Sequence, residues 1–204
     1  MLQFQTFVGG IFDTNSYLVK APEGNILIDA PTGSSSWLQQ LDTKPDLLLI
    51  THGHVDHVDD AARAKRLFDC KVAYHRETEP LIMDPNFFKK FGFFLEAEPV
   101  TADFFIKETL EIDLQGIKFQ VLYVPGHCPG SVCFYAAEHQ VLFAGDTLFA
   151  GSVGRADLPG GNYDLLIKGI QKKIFALPDQ TRVLSGHGPE TTVGEEKRSN
   201  PYLR

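Results

Sequence analysis

The sequence of 204 residues has few cysteines, little basic charge and no long apolar run. Its three cysteines, Cys70, Cys128 and Cys133, are too few and odd in number for a disulfide framework, which fits a reducing compartment. No stretch approaches the ~20 apolar residues of a membrane span, and the N-terminus lacks a positively charged segment ahead of an apolar run. These absences predict a cytoplasmic protein with no membrane partner.

Basic residues are outnumbered: Lys and Arg total 19 against 26 Asp and Glu, and the formal net charge is −7 with histidine neutral. Proteins that bind nucleic acids through bulk charge need clustered Lys and Arg, and the sequence has no basic stripe. We therefore expect no nucleic acid as a partner. With 43% hydrophobic and 22% charged residues and no linker-like segment, the chain is predicted to form a single domain over residues 1–204.

Apolar patterning predicts short strands punctuated by helices. The strands are expected at residues 2–7, 17–19, 26–28, 46–50, 71–74, 110–113, 117–124, 131–136, 140–144 and 182–184, and the helices near 37–41, 58–68 and 163–176. Between residues 77 and 106 prolines interrupt any periodicity, and the phenylalanine-rich segment 87–105 is expected to be core or a pocket wall. Two packed sheets with helices on the outside fit this order.

The strongest chemical signal follows the buried strand predicted at 46–50. His52, His54, Asp56 and His57 fall within six residues, where the strand ends and a helix starts. Imidazole nitrogens and carboxylate oxygens are ligands of zinc and related divalent metals. The density of histidine therefore predicts a metal site.

Three further candidate ligands lie downstream, each near the end of a predicted strand and beside a glycine: His127, Asp146 and His187. Loops at one edge of a sheet can converge in space although they are distant in sequence. With the first cluster they supply five histidines and two aspartates, enough for two metals with positions left open for solvent.

Several motifs together resemble one family. They are Asp29 after the first hairpin, the cluster at 51–57, Pro-Gly-His at 125–127, Gly-Asp-Thr-Leu-Phe at 145–149, Gly-Arg-Ala-Asp-Leu-Pro-Gly-Gly at 154–161, Gly-His-Gly-Pro at 186–189, and the ending with Glu196 and Asn200-Pro201. This pattern resembles the metallo-β-lactamase superfamily, and within it the short hydrolases similar to glyoxalase II (hydroxyacylglutathione hydrolase). The resemblance implies an α/β fold of αββα type, a two-sheet sandwich flanked by helices. Only residues 188–204 follow the last motif histidine, which leaves no room for a separate C-terminal helical domain.

The resemblance also implies a ligand set. One metal is held by His52, His54 and His127, a second by Asp56, His57 and His187, and Asp146 bridges the two. Asp56 and Asp146 are the predicted catalytic carboxylates. Two divalent ions that share a water lower its pKa toward ~7 and polarise a carbonyl. Zinc is the expected metal, and iron or manganese also fits these donors.

The implied reaction is thioester hydrolysis, in which a metal-bridging hydroxide attacks the acyl carbonyl of a small molecule such as a glutathione conjugate. The lactam-cleaving branch commonly has another residue type at the position of Asp146, so antibiotic hydrolysis is disfavoured. One alternative is a persulfide dioxygenase with a single iron on His52, His127 and Asp146; the match around 154–161 and 186–189 favours hydrolysis. Another is a metal-binding module without catalysis, although structural zinc sites are usually closed and four-coordinate.

Four other residues are singled out near the motifs. Asp29 is expected either to accept the second N–H of a metal-bound histidine or to serve only as a turn residue. Arg155 and Asp157 are predicted to form a buried pair that shapes their loop, and Cys128 is expected to face the site. The two remaining histidines, His75 and His139, match no ligand position.

Overall fold

Two six-stranded sheets form the centre of the structure, a computed structural model that describes residues 2–84, 86–92 and 96–204. The strands are β1 (Gln3–Gly9), β2 (Thr14–Ala21), β3 (Gly24–Ile28), β4 (Leu47–Leu49), β5 (Lys71–His75), β6 (Phe104–Ile106), β7 (Thr109–Leu114), β8 (Ile117–Tyr123), β9 (Val132–Ala136), β10 (Val141–Gly145), β11 (Leu148–Phe149), β12 (Ser152–Val153), β13 (Arg182–Ser185) and β14 (Thr191–Thr192). The α-helices are α1 (Ser34–Gln40), α2 (Val55–Val58), α3 (Ala61–Phe68), α4 (Glu79–Met83), α5 (Tyr163–Gly169) and α6 (Val193–Ser199). Of the phenylalanine-rich segment, Phe93 and Phe94 lie outside the described residues.

The first sheet has the order β1-β2-β3-β4-β5-β6. Strands β1 to β3 are antiparallel, as the predicted hairpin requires, whereas β3 to β6 run parallel. The continuous apolar run in β4 reflects burial on both faces, because Leu47 and Leu49 pack between the sheets while Leu48 and Ile50 pack under the helices. The strand predicted at 46–50 is therefore central.

The second sheet has the order β14-β13-β10-β9-β8-β7, in which only β10 and β13 of the described strands pair in parallel. Its side chains alternate in the same way: Phe143 packs toward the first sheet, while Leu142 and Ala144 pack with Leu166 and Ile170 of the helical layer. One core thus lies between the sheets and one beneath each outer layer. This is the αββα sandwich that the sequence predicted.

Several elements differ from the predicted ones. The helix expected at 58–68 is divided into α2 and α3, because the Asp60 N–H donates to the Ala30 carbonyl (2.9 Å) and its carboxylate accepts the Ser35 N–H (2.7 Å). The helix expected at 163–176 is α-helical only over α5, and it continues as a π-helical turn over Ile170–Ile174. Strands β6, β11, β12 and β14 and helices α4 and α6 were not predicted. None of the helices in the described ranges has the length and apolar character that a membrane crossing requires.

Candidate metal centre

The predicted ligands gather where strands end at one edge of the sandwich. His52, His54, Asp56 and His57 follow β4 and enter α2, while His127, Asp146 and His187 follow β8, β10 and β13 respectively. Three groups of possible ligands form, in each of which the donor atoms lie within 4.8 Å of one another: His52, His54 and His127; His52, His57 and Asp146; and Asp56, His57 and His187. The structure therefore brings all seven predicted residues into one cluster.

A cavity of about 430 Å³ opens onto this cluster. His52, His54, His57 and His127 are buried, and His187 is partly exposed to the cavity. The other residues that line the cavity are mostly apolar: Phe12, Val55, Phe149 and Leu158, with Arg155. Such an arrangement, apolar walls around a few polar groups, is usual for small-molecule sites.

Asp29 orients two of the histidines, one directly and one through Thr51. Its Oδ2 lies 2.7 Å from Nδ1 of His57 and accepts the Thr51 hydroxyl proton at 2.7 Å, while its Oδ1 accepts the Thr51 N–H at 2.8 Å. The Thr51 hydroxyl in turn lies 3.0 Å from Nδ1 of His52. A carboxylate only accepts, so Nδ1 of His57 carries a proton; the Thr51 hydroxyl gives its one proton to Asp29 and therefore accepts from Nδ1 of His52. Both imidazoles thus direct Nε2 toward the cluster. Asp29 therefore makes the hydrogen bond expected of it, to a histidine of the cluster.

Backbone carbonyls hold two more histidines in the same way. Nδ1 of His127 donates to the Arg155 carbonyl at 2.7 Å, and Nδ1 of His187 donates to the Phe12 carbonyl at 2.9 Å. Carbonyl oxygens only accept, so these imidazoles also direct Nε2 into the cluster.

The Nε2 atoms approach each other closely: 3.2 Å separate those of His52 and His127, and 3.4 Å those of His57 and His187. Two unprotonated nitrogens at these distances turn lone pairs toward each other, which is unfavourable unless a positive charge lies between them. Divalent metal ions fit this donor arrangement. Metal ions bind neutral histidines, and the Nδ1 contacts select the tautomer in which Nε2 is the ligand atom.

Asp146 lies between the two groups of histidines. Its Oδ1 is 3.2 Å from Nε2 of His57, and its Oδ2 is 3.5 Å from Nε2 of His127 and 3.4 Å from Nε2 of His187. Burial acts to raise the pKa of Asp146, but His57 and a hydrogen bond from His187 outweigh it and hold that pKa well below its ordinary value. An ionised carboxylate therefore faces both groups.

The same charges act on the histidines. Burial lowers the pKa of His57, yet the carboxylates around it, Asp146 first, leave that pKa well above its ordinary value. The pKa of His187 rises to about 10 because hydrogen bonds from its imidazole to Asp146 and Asp56 outweigh burial. The cluster therefore attracts positive charge, which either protons or metal ions supply.

Residues of β2 contribute contacts that the sequence analysis missed. The Thr14 hydroxyl donates to Oδ2 of Asp56 at 3.0 Å, and the Asn15 side chain donates to the carbonyls of Ser185 (3.0 Å) and Gly188 (2.9 Å) on either side of His187. Thr14 and Asn15 are buried polar residues at the start of β2, before its apolar stretch at 17–19. These polar residues beside a predicted strand were the signal in the sequence that could have indicated the contacts.

Two expectations about neighbouring residues were wrong. Arg155 and Asp157 form a two-pronged ion pair of 2.7 and 2.8 Å, but their side chains are 55% and 68% exposed because the loop lies at the cavity rim. Cys128 is fully buried beside Val55 and Leu81 instead of facing the cavity, and burial raises the pKa of its thiol to about 11. His75 and His139 belong to none of the three donor groups, as predicted.

Comparison with known proteins identifies the family. Residues 9–187 match the family model described as the metallo-beta-lactamase superfamily. The chain belongs to this superfamily. Its αββα sandwich is the fold of this superfamily.

Individual members cover nearly the whole chain. Hydroxyacylglutathione hydrolase GloC of Haemophilus influenzae is 36% identical over 198 residues, which is 94% of this chain and 93% of that protein. The solved structure of TTHA1623 in a di-iron-bound form is 37% identical with a TM-score of 0.87, covering 98% and 100% of the two chains. That of the BLEG-1 B3 metallo-beta-lactamase is 33% identical with a TM-score of 0.90, covering 98% and 99%. With these relatives and its His/Asp cluster, this member of the superfamily is a metal-dependent hydrolase.

Proposed function

We propose that this hydrolase cleaves thioesters of a small thiol, of which glutathione is the leading example, and that it does so with two divalent ions. The single observation that carries the binuclear part is the position of Asp146, whose two carboxylate oxygens face different histidines. The similarity of the chain to the hydroxyacylglutathione hydrolase supports the substrate class. The di-iron form of another relative supports two ions.

In this proposal His52, His54 and His127 would hold the first ion, Asp56, His57 and His187 would hold the second, and Asp146 would serve both. Bound divalent ions would supply an activated water near neutral pH and polarise the acyl carbonyl. The donor set fits zinc, iron and manganese.

The protein's own residues prepare the reaction in three ways. Asp29 and the carbonyls of Phe12 and Arg155 fix the tautomers and orientations of the histidines. Asp56, which accepts the Thr14 hydroxyl proton, keeps its carboxylate at the cavity, where it would hold the second ion. The apolar walls exclude bulk water from the acyl group.

The charge of the cavity agrees with an anionic substrate. Arg155 is the one Lys or Arg side chain among the described lining residues, and Asp157 balances its charge, so the positive charge that attracts such a substrate would come mainly from the ions. Two divalent ions add further local positive charge, although the protein as a whole carries a formal charge of −7. A small anionic thioester is therefore attracted where a large polyanion is not.

The decisive experiment combines metal analysis with three activity assays on the purified protein: thioester cleavage, persulfide-dependent oxygen uptake and hydrolysis of a β-lactam. We expect two metal ions per chain and thioester cleavage. One iron with oxygen uptake and no cleavage would overturn the proposal in favour of a dioxygenase. The β-lactam serves as the third substrate because a similar structure is that of a B3 metallo-beta-lactamase, and turnover of the lactam alone would also refute thioester hydrolysis.

Asp146→Ala tests the bridging role directly. We expect this variant to lose binuclear metal binding and thioester cleavage together, while Asp164→Ala, a change at an exposed aspartate of α5, keeps both. Full activity of Asp146→Ala with one metal bound would show that no bridge is needed.

A further inference from the structure

A buried carboxylate that is not among the proposed metal ligands lies in the last helix, α6. Glu196 in α6 and Asn200 just beyond it are each only 1% exposed. Burying a carboxylate is costly unless several donors satisfy it, and an apolar side chain would fill the same space without that cost. Its presence therefore indicates a role for directional hydrogen bonds.

The donors come from three separate segments. Oε2 of Glu196 accepts the Gly151 N–H at 2.9 Å and the Asn200 amide at 2.7 Å, and Oε1 accepts the Thr191 hydroxyl at 2.6 Å. The second amide proton of Asn200 goes to the Ser152 carbonyl at 3.0 Å. We call Glu196 and Asn200 the hairpin clamp, because they bind both the N–H and the C=O of the turn that joins β11 and β12.

This turn carries one wall of the substrate cavity. Phe149 pairs with Ser152 across the hairpin, lines the cavity, and places its ring edge-on to that of His187 at 6.1 Å between centroids. Thr191, which donates to Glu196 from the third of these segments, lies four residues after His187. The clamp thus joins the element that carries Phe149 to the segment that follows His187.

We propose that the hairpin clamp is a positioning device that fixes Phe149 against the metal centre and thereby sets which acyl groups the cavity accepts. Neither clamp residue lines the cavity, so both act through Phe149. The proposal rests on the proposed thioester hydrolysis for its substrate but not for its geometry.

Two substitutions at Glu196 separate hydrogen bonding from volume. Glu196→Gln keeps an acceptor for Gly151 and Asn200 and gives Thr191 a donor in place of an acceptor, which a rotated hydroxyl accommodates. Glu196→Met fills similar space but leaves the Gly151 N–H and the Asn200 amide without their carboxylate partner. Glu195→Gln, at an exposed neighbour in the same helix, is the matched control.

The kinetic test compares acetyl, butanoyl and hexanoyl thioesters of one thiol. In Glu196→Met we expect the ratio of kcat/KM between the best and worst acyl group to fall roughly tenfold, mainly through KM, since a methylene in a defined apolar pocket is worth about that much. Glu196→Gln and Glu195→Gln should keep the wild-type ratio. In a Phe149→Ala background Glu196→Met should have no further effect on the ratio, because residues that act through each other are not additive.

A second measurement does not depend on activity. Hydrogen exchange at the Gly151 amide, followed by mass spectrometry, should be about tenfold faster in Glu196→Met than in Glu196→Gln. If Glu196→Met does not fold, Asn200→Ala replaces it in both measurements; this variant removes the Ser152 contact, one donor to Glu196 and the acceptor of the Tyr202 N–H. A lower melting temperature with unchanged acyl selectivity would overturn the proposal, and so would additivity with Phe149→Ala. Absence of thioester cleavage by the wild type, with exchange still faster in the variant, would refute the proposed substrate and leave the clamp geometry intact.

Discussion

Oδ2 of Asp29 lies 2.7 Å from Nδ1 of His57, and Asp29 adopts a left-handed backbone conformation with φ +58°. This conformation turns the chain at the end of β3 and directs the carboxylate beneath the histidine cluster. Asparagine and aspartate tolerate it better than other residues with a Cβ. The backbone requirement and the hydrogen-bonding requirement can therefore be separated by one substitution.

Asp29→Asn should weaken metal binding about 10- to 100-fold, the usual effect of removing a partner of a metal-bound histidine. The amide retains an acceptor for the Thr51 N–H, but it loses the negative charge that holds the His57 proton in place. Chelator competition measures the affinity. Asp69→Asn, at an exposed aspartate with φ +53°, is the control, and equal affinities for both variants would reduce Asp29 to a turn residue.

Gly186 is a second position where the backbone meets the metal centre. A Cβ there would lie 2.1 Å from Oδ1 of Asp146 and 2.7 Å from Cε1 of His57, closer than atoms can approach. We therefore expect Gly186→Ala to displace the carboxylate and to lose the second metal ion together with most activity. Metal analysis of the folded variant checks this, and retention of two ions would show that Asp146 is not held where the structure has it.

The metal ligands were the most predictable part of the molecule. His52, His54 and His57 are dense in sequence, so local pattern alone indicates them, whereas His127 and Asp146, beside glycines at strand ends, became candidates only together with that cluster and the family motifs. The continuous apolar run at 46–50 likewise predicted the buried strand β4. These signals are local, and each requires only a few neighbouring residues.

What the sequence analysis missed depends on contacts between distant segments. Nothing near Glu196 indicates that Gly151 donates to it, and Asn15 reaches Ser185 and Gly188 across two sheets. The exposure of Arg155 follows from the position of its loop at the cavity rim, which its Gly-rich sequence does not specify. Tertiary packing decides these features.

The cysteines offer a test of the core. Burial raises the pKa of the Cys70 and Cys128 thiols to about 11 and that of Cys133 to about 12, so roughly 100-fold less thiolate exists at pH 8 than in the unfolded chain. In the native protein a disulfide reagent should titrate fewer than one thiol within minutes, and all three in denaturant. Fast reaction of one native thiol that disappears in Cys128→Ser would show instead that Cys128 reaches the cavity. Because these raised pKa values favour the neutral thiols, the folded state loses stability as the pH rises from about 9 toward 11.

Removal of the metals should lower stability without unfolding the chain. The three large hydrophobic clusters contain none of the seven proposed ligands, so the sandwich has a core that is independent of the centre. A ligand at about 1,000 times its Kd contributes about 4 kcal/mol, which for a chain of this length is a shift of roughly 8 to 16 °C in melting temperature. We expect chelation to produce a shift of this size, reversed by adding zinc, while far-ultraviolet circular dichroism stays native at 25 °C. Complete loss of structure on chelation, with no turnover by the loaded protein, would favour a structural metal site over a catalytic one.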